Sequence, residues 1–164
     1  MRHIAPRLMA TAALAAIGLG VLGAGTASAA GTASAAEVSV NAARSTQVKF
    51  HNGTGCQLNR QSYGLDHGIW SQGQEPPVTV HNTSDVSWQS ESNGFMTGTE
   101  GSVTYRTSNC EEGWRNDRTI RFHWNNPYVG SNGYDTNGTD NTFRSVIEGG
   151  GGNNALVTWG EYKN

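Results

Sequence analysis

From Arg44 to the C-terminus the chain contains a single alanine, Ala155, and few other strong helix formers. No window of useful length has apolar residues at the i, i+3, i+4 spacing of an amphipathic helix. Valine outnumbers leucine and isoleucine together, while glycine, asparagine, serine and threonine fill the intervals. These absences exclude a helical protein and favour a fold that is built from β-strands.

Basic residues are also few, and none of their clusters exceeds a few residues. The chain has 11 Lys and Arg against 13 Asp and Glu. Two of the basic residues, Arg2 and Arg7, lie within residues 1–36, so the remainder has 9 basic against 13 acidic residues, a net charge of −4. A nucleic-acid partner requires a basic stripe, so we exclude that class. For the same reason, attraction to anionic lipid is not expected to dominate binding.

Cysteine is limited to Cys56 and Cys110. An even number of cysteines in an exported chain favours a disulfide, and two free buried thiols are the alternative. The bond would close a loop of about 54 residues and contribute about 2–4 kcal/mol. Two cysteines without paired histidines at ligand spacing make a poor zinc site. We therefore expect a disulfide, with no metal site and no cofactor.

The only long apolar run lies at the N-terminus. A basic start precedes the apolar residues 8–24, and two small-residue cleavage sequences follow at residues 27–29 and 33–35. This pattern is typical of a secretory signal peptide. A membrane anchor is the alternative, but the run is shorter than the ~20 residues that a span needs. We predict a signal peptide over residues 1–36, cleaved after about residue 29 or 35, and a secreted, extracellular protein.

The rest of the chain has the length of one domain. Residues 37–45 have little to bury and are predicted to form a flexible tail. Residues 46–164 are predicted to fold as one domain, which includes an extended polar loop at residues 108–118.

Short alternations of apolar and polar residues recur along this domain. In the clearest of them, Ile120, Phe122 and Trp124 alternate with Arg121 and His123. The others centre on Val48 and Phe50, Val78 and Val80, Val86 and Trp88, Val103 and Tyr105, Phe143 to Ile147, and Ala155 to Trp159. Turn sequences such as Asn-Gly separate them. We predict a single antiparallel β-sandwich of about eight short strands, with Phe122, Trp124 and Trp159 in its core. A closed barrel is the alternative.

Three segments carry longer motifs. They are residues 91–101 (ESNGFMTGTEG), 126–132 (NPYVGSN) and 149–154 (GGGGNN). These segments resemble the aegerolysin family, and are most similar to the small component of bacterial binary insecticidal crystal toxins. The resemblance covers roughly residues 46–160 and is weaker at the N-terminal end.

The resemblance implies a β-sandwich that recognises membrane lipids, commonly together with a larger partner protein that forms the pore. The chain departs from the family in its export signal, in its two cysteines and in the inserted residues 108–118. Since loops determine such specificity, the insertion bears on which target is recognised.

Several aromatic residues lie in or beside predicted loops, where a ring can enter the headgroup layer of a membrane. A carboxylate beside such a ring could pair with the ammonium of a phosphocholine or phosphoethanolamine headgroup. Packing over the end of the sandwich is the alternative role for the rings. The candidate lipid-binding residues are Trp70, Trp114, Tyr128, Tyr134, Glu91 and Glu100.

No catalytic residue is expected. The histidines lack His-Glu-x-x-His spacing, and no Gly-x-Ser-x-Gly sequence occurs. Residues 135–140 partly imitate a calcium loop, but the distal bidentate glutamate is missing. The Asn137-Gly138 pair instead predicts a hairpin turn.

These observations predict a secreted protein that binds membrane lipid through a sphingolipid or phospholipid headgroup. It would serve as the recognition component of a pore-forming, hemolytic or insecticidal system and would not be an enzyme. One alternative is a secreted carbohydrate-binding module that stacks sugars on Trp70, Trp114 or Tyr134. A further alternative is a small secreted hydrolase that uses His67 or His123.

Overall fold

The computed structural model describes residues 42–164. The predicted signal peptide and most of the predicted tail lie outside the described residues. At the described end of the tail, Ser45 already pairs in the first strand, and the backbone N–H of Ser92 donates to the Arg44 carbonyl at 2.8 Å. The β-structure thus begins before residue 46.

The described residues form ten strands and one short 3₁₀ helix at Gly113–Arg115. The strands are β1 Ser45–Gly53, β2 Gln57–His67, β3 Ile69–Trp70, β4 Thr79–Val80, β5 Asp85–Glu91, β6 Thr99–Ser108, β7 Thr119–Asn126, β8 Gly133–Asp135, β9 Phe143–Gly149 and β10 Asn154–Lys163. No helix in this part of the chain is long and apolar enough to cross a membrane.

The strands form two five-stranded sheets. Sheet A has the order β3-β5-β1-β10-β9, and sheet B has the order β4-β2-β6-β7-β8. All pairs are antiparallel except β1 with β10, which runs parallel. The predicted β-sandwich is confirmed, with ten strands where the sequence predicts about eight. Each sheet keeps two free edges within the described residues, so the alternative of a closed barrel is wrong.

The core lies between the sheets and is largely aromatic. Phe122, Trp124 and Trp159 are completely buried, which confirms their predicted place in the core. The Phe122 ring lies 4.8 Å from that of Phe50 and 5.1 Å from that of Trp159, so the ring stacks bridge the two sheets. The Trp124 indole N–H donates to the Ser90 hydroxyl at 2.9 Å, which satisfies its polar atom inside the core.

The predicted disulfide is present between Cys56 and Cys110. It joins the β1–β2 turn to the β6–β7 connection, where the polar loop was predicted. Lys163, near the end of β10, donates to the Glu111 carboxylate at 2.8 Å beside it. We call this end of the sandwich the disulfide end.

The opposite end carries a different set of connections. β6 spans ten residues between the two ends, a separation of roughly 30 Å at about 3.3 Å per residue. The connections at this far end are residues 68, 92–98, 127–132 and 150–153, together with the described residues 42–44. The motif at residues 91–101 therefore contains the β5–β6 connection, and the motif at residues 126–132 contains the β7–β8 connection. The motif at residues 149–154 contains the β9–β10 turn, which lies at the same end.

Candidate functional site: an apolar rim at one end of the sandwich

Four large apolar side chains at the far end are exposed to solvent. Phe95 is 90% exposed, Val129 80%, Met96 54% and Ile69 47%. Phe95 and Met96 lie in the connection 92–98, Val129 lies in the connection 127–132, and Ile69 begins β3. We call these four residues the rim. Grouped exposed apolar side chains mark interaction sites, since leaving them in water gives up the stabilisation that burial provides.

A cavity of about 580 Å³ opens beside the rim. This volume is in the range of ligand sites, about 300–1,000 Å³. Glu91 is the one acidic residue that lines it, and the Glu91 carboxylate accepts a hydrogen bond from the Ser71 hydroxyl at 2.8 Å. The lining residues are Ala42, Ala43, Ile69, Glu91, Ser92, Asn93, Gly94, Phe95, Met96 and Tyr128. A mostly apolar cavity with one carboxylate suits a ligand that has an apolar part and a cationic group.

Gly98 brings two of the rim-bearing loops together. A Cβ atom at this position would lie 2.4 Å from the Asn126 carbonyl oxygen and 2.8 Å from the Pro127 Cα atom. Only glycine permits that approach, because both neighbours are backbone atoms, which can make room only if the whole loop shifts. The loop with Phe95 and Met96 is thus packed directly on the turn that precedes Tyr128 and Val129.

We expect Gly98→Ala to lower the free energy of unfolding by about 1–3 kcal/mol through overpacking, and to displace both loops. Urea denaturation measures the first effect. Gly133→Ala is the matched control, because a Cβ atom there would meet nothing within 4 Å. Equal stability of the two variants would contradict this account of the loop contact.

Asparagine side chains hold the remaining loops in place. The Asn126 amide donates to the carbonyls of Ser45 and Asn153, both at 2.9 Å. The Asn132 amide donates to the carbonyls of Gly150 at 2.7 Å and Gly152 at 2.9 Å. The asparagines of the Asn-Pro-Tyr-x-Gly-Ser-Asn motif therefore shape the rim end by binding the backbone of the glycine-rich turn.

Tyr128 stands between two cavities. Besides the apolar cavity it lines a smaller one of about 380 Å³, which Glu100 and His67 also line. The Arg44 guanidinium donates to the Tyr128 carbonyl at 2.5 Å and lies 5.6 Å from the centre of its ring. The ring is therefore held in a position to contact a ligand in either cavity.

The predicted site residues do not all come together. Tyr128, Glu91 and Glu100 lie at the rim end. The half-buried Tyr134 packs edge-on against Trp159 and donates its hydroxyl to the Gly150 carbonyl at 2.8 Å, and burial raises the pKa of its phenol.

The two tryptophans lie elsewhere. The ring of Trp70 packs 5.8 Å from that of Trp124, beside the core. Trp114 is 54% exposed at the disulfide end, with the Arg115 guanidinium 4.4 Å from its ring centre.

The sequence predicts indole and phenol rings at the binding surface, whereas the structure exposes a phenyl ring and three aliphatic side chains at the rim. Phe95, Met96, Val129 and Ile69 were not among the candidate residues. Phe95-Met96 has one signal that could have identified it, an apolar pair between Asn-Gly and Thr-Gly, where no strand alternation can bury it.

Two solved structures share the fold. The crystal structure of the lipid binding protein Nakanori superposes with a TM-score of 0.60 over 73% of this chain and 71% of that chain, at 13% identity. The RahU protein, crystallised with a Tris molecule, superposes with a TM-score of 0.58 over 74% of this chain and 96% of that chain, at 15% identity. Identities this low establish the fold alone.

Similarity in sequence to known proteins is limited. No family model matches the chain. An uncharacterized protein of Dictyostelium discoideum is 41% identical over 64 residues, which are 39% of this chain and 6% of that protein. The chain thus spans a small fraction of that relative's length.

Proposed function

We propose that the chain is a secreted, non-catalytic protein of the aegerolysin type that binds membrane lipid through the rim. The observation that carries this proposal is the rim itself: four exposed apolar side chains beside a largely apolar cavity that contains one carboxylate. The fold shared with a lipid binding protein supports it, and so does the disulfide, which suits an extracellular protein.

Binding would be interfacial. Phe95, Met96 and Val129 would enter the boundary between headgroups and acyl chains, where each fully buried side chain contributes about 1.5–3 kcal/mol. The Glu91 carboxylate would pair with the ammonium group of a choline or ethanolamine headgroup. The Tyr128 ring would face the same cation. The proposed ligand is accordingly a sphingolipid or phospholipid with a zwitterionic headgroup.

We further propose that membrane damage, whether hemolytic or insecticidal, requires a larger pore-forming partner protein. The support is the resemblance of residues 91–101 and 126–132 to the small component of binary toxins. In this arrangement the present chain selects the membrane and the partner crosses it.

The two alternative functions have weaker support. A sugar-stacking platform needs an open ring face. Trp70 packs beside the core, and Tyr134 is half-buried against Trp159. Trp114 is exposed, but the Arg115 guanidinium lies 4.4 Å from its ring centre and covers one face.

A hydrolase that uses His123 as a general base needs a hydroxyl, a thiol or a water at the imidazole, but Nδ1 faces the Asp135 carboxylate at 2.8 Å and Nε2 the Glu100 carboxylate at 3.2 Å. Among the described residues, no side-chain hydrogen bond orients the exposed His67.

Co-sedimentation with liposomes tests the proposal. We expect the purified protein to sediment with vesicles of phosphatidylcholine, phosphatidylethanolamine or sphingomyelin, with and without sterol. Because no basic stripe contributes, high salt should weaken binding little. Failure to sediment with every mixture would refute the proposal, and saturable glycan binding in its place would favour the carbohydrate-binding alternative.

A further inference from the structure

The outer face of sheet B carries a cluster of three possible metal ligands that the rim does not use. Asp66 lies on β2, Glu100 on β6 and His123 on β7, three strands that are neighbours in the sheet. One ligand atom from each residue lies within 4.8 Å of the other two. We propose that this cluster binds a divalent transition-metal ion, with Zn²⁺ as the best fit.

The His123 imidazole lies between two carboxylates. Its Nδ1 atom lies 2.8 Å from the Asp135 carboxylate, and its Nε2 atom lies 3.2 Å from the Glu100 carboxylate. A neutral imidazole has one N–H group. If that group donates to Asp135, the Nε2 lone pair faces a second acceptor, which is unfavourable unless a cation lies between them.

Metal-binding histidines have this arrangement, in which one ring nitrogen donates to a carboxylate and the other binds the ion. Asp135 is itself positioned by the backbone N–H of Asn137, which donates to it at 3.0 Å, and by Arg121 at 3.7 Å. The competing state is a doubly protonated imidazole that bridges the two carboxylates without a metal.

A β-bulge supplies the third ligand. The pairing of β2 with β6 shifts between Leu65, opposite Gly101, and His67, opposite Glu100. Asp66 is the extra residue, and a bulge at such a position redirects a side chain. None of the hydrogen bonds among the described residues involves the Asp66 carboxylate. Its side chain is exposed, and one of its oxygens already lies within 4.8 Å of the ligand atoms of Glu100 and His123.

The donor set favours zinc over calcium. Calcium prefers six to eight oxygen ligands, whereas imidazole nitrogen with carboxylate oxygen suits zinc and its neighbours in the first transition row. The side chains of His123 and Glu100 are 21% and 23% exposed and Asp66 is exposed, so the cluster is accessible from solvent. Three protein ligands with an open position resemble a site that can accept an exogenous ligand.

Isothermal titration of the purified protein with ZnCl₂ tests the assignment. We expect one equivalent to bind, with the affinity reduced at least about tenfold in His123→Gln and in Asp135→Asn. His51→Gln is the matched control. His51 also lies beside a carboxylate, that of Asp85 at 2.9 Å, but on the other sheet and outside the cluster. It should bind zinc as the unmodified protein does.

Circular dichroism checks that each variant is folded. Should His123→Gln fail to fold, Glu100→Gln and Asp66→Asn provide the same test, and the Co²⁺ absorption spectrum reports the ligands directly. Absence of zinc binding, unchanged binding in the folded ligand variants, or preference for Ca²⁺ over Zn²⁺ would overturn the proposal. None of these outcomes depends on whether the rim binds lipid.

Discussion

Replacing Phe95 with aspartate is expected to lower the affinity for zwitterionic vesicles by about 100-fold. The Phe95 side chain is 90% exposed, so its removal costs the folded protein little. In the membrane-bound state the same ring would be buried, which stabilises binding by about 1.5–3 kcal/mol, or a factor of roughly 10–100 in affinity. The introduced carboxylate adds the cost of bringing a charge into the interface. Vesicle co-sedimentation over a range of lipid concentrations measures the loss.

Trp114→Asp is the matched control for this variant. Trp114 is also a large exposed ring, but it lies at the disulfide end, and its replacement should leave vesicle binding unchanged. Phe95→Leu keeps an apolar group and should retain most of the affinity. If Phe95→Asp binds like the unmodified protein, or if Trp114→Asp loses binding instead, the rim is not the membrane-binding surface.

The sequence pattern is clearest in the strands that bury one face. In β7 the burial alternates without interruption from Thr119 to Asn126, and the period-2 pattern follows it. β2 is longer than β7, but the alternation of apolar and polar residues does not predict it. Its middle residues are exposed, and two register shifts, at Arg60 and at Leu65, interrupt the alternation. A strand with neither a buried face nor an unbroken register leaves little periodic signal in the sequence.

The candidate site was only partly predictable, for a different physical reason. Local sequence identifies Tyr128 as a loop aromatic, but it does not determine which loops share an end of the sandwich. That depends on strand order: Trp114 and Tyr128 flank β7, and therefore lie at opposite ends. The Asp66, Glu100 and His123 cluster shows the same limit, because its members come from three strands that become neighbours only in the folded sheet.

The free energy of unfolding is expected to fall as the pH rises, because of the Glu161 carboxyl. The side chain is completely buried in β10. Burial raises the pKa of its carboxyl from 4.5 to about 7, although the Ser145 hydroxyl, which donates to it at 2.6 Å, partly opposes the shift. The native state therefore holds the proton more tightly than the unfolded chain does. The contribution of Glu161 to stability is greatest at low pH, where its carboxyl is protonated in both the native and the unfolded state. This contribution is lost as the pH rises through the pKa of the native state.

Between pH 5 and pH 8 the free energy of unfolding should fall by about 2–3 kcal/mol, since each unit of pKa shift corresponds to about 1.4 kcal/mol. Urea denaturation at several pH values measures this slope. Glu161→Gln should flatten it and make the protein more stable than the unmodified chain at pH 8. Glu148→Gln, an exposed glutamate on the neighbouring strand β9, should leave the slope unchanged.

Carboxyl groups with a lowered pKa have the opposite effect on stability, but they act at a lower pH than Glu161 does. A backbone hydrogen bond from Thr142 holds the pKa of Asp140 below its ordinary value, so its contribution is lost only as the pH falls below that value. Above pH 5 this contribution is essentially constant. A slope that is flat or rising from pH 5 to pH 8, or one that persists in Glu161→Gln, would contradict the assignment. Because Glu161 lies near the disulfide end, the vesicle affinity of the folded Glu161→Gln variant should equal that of the unmodified protein.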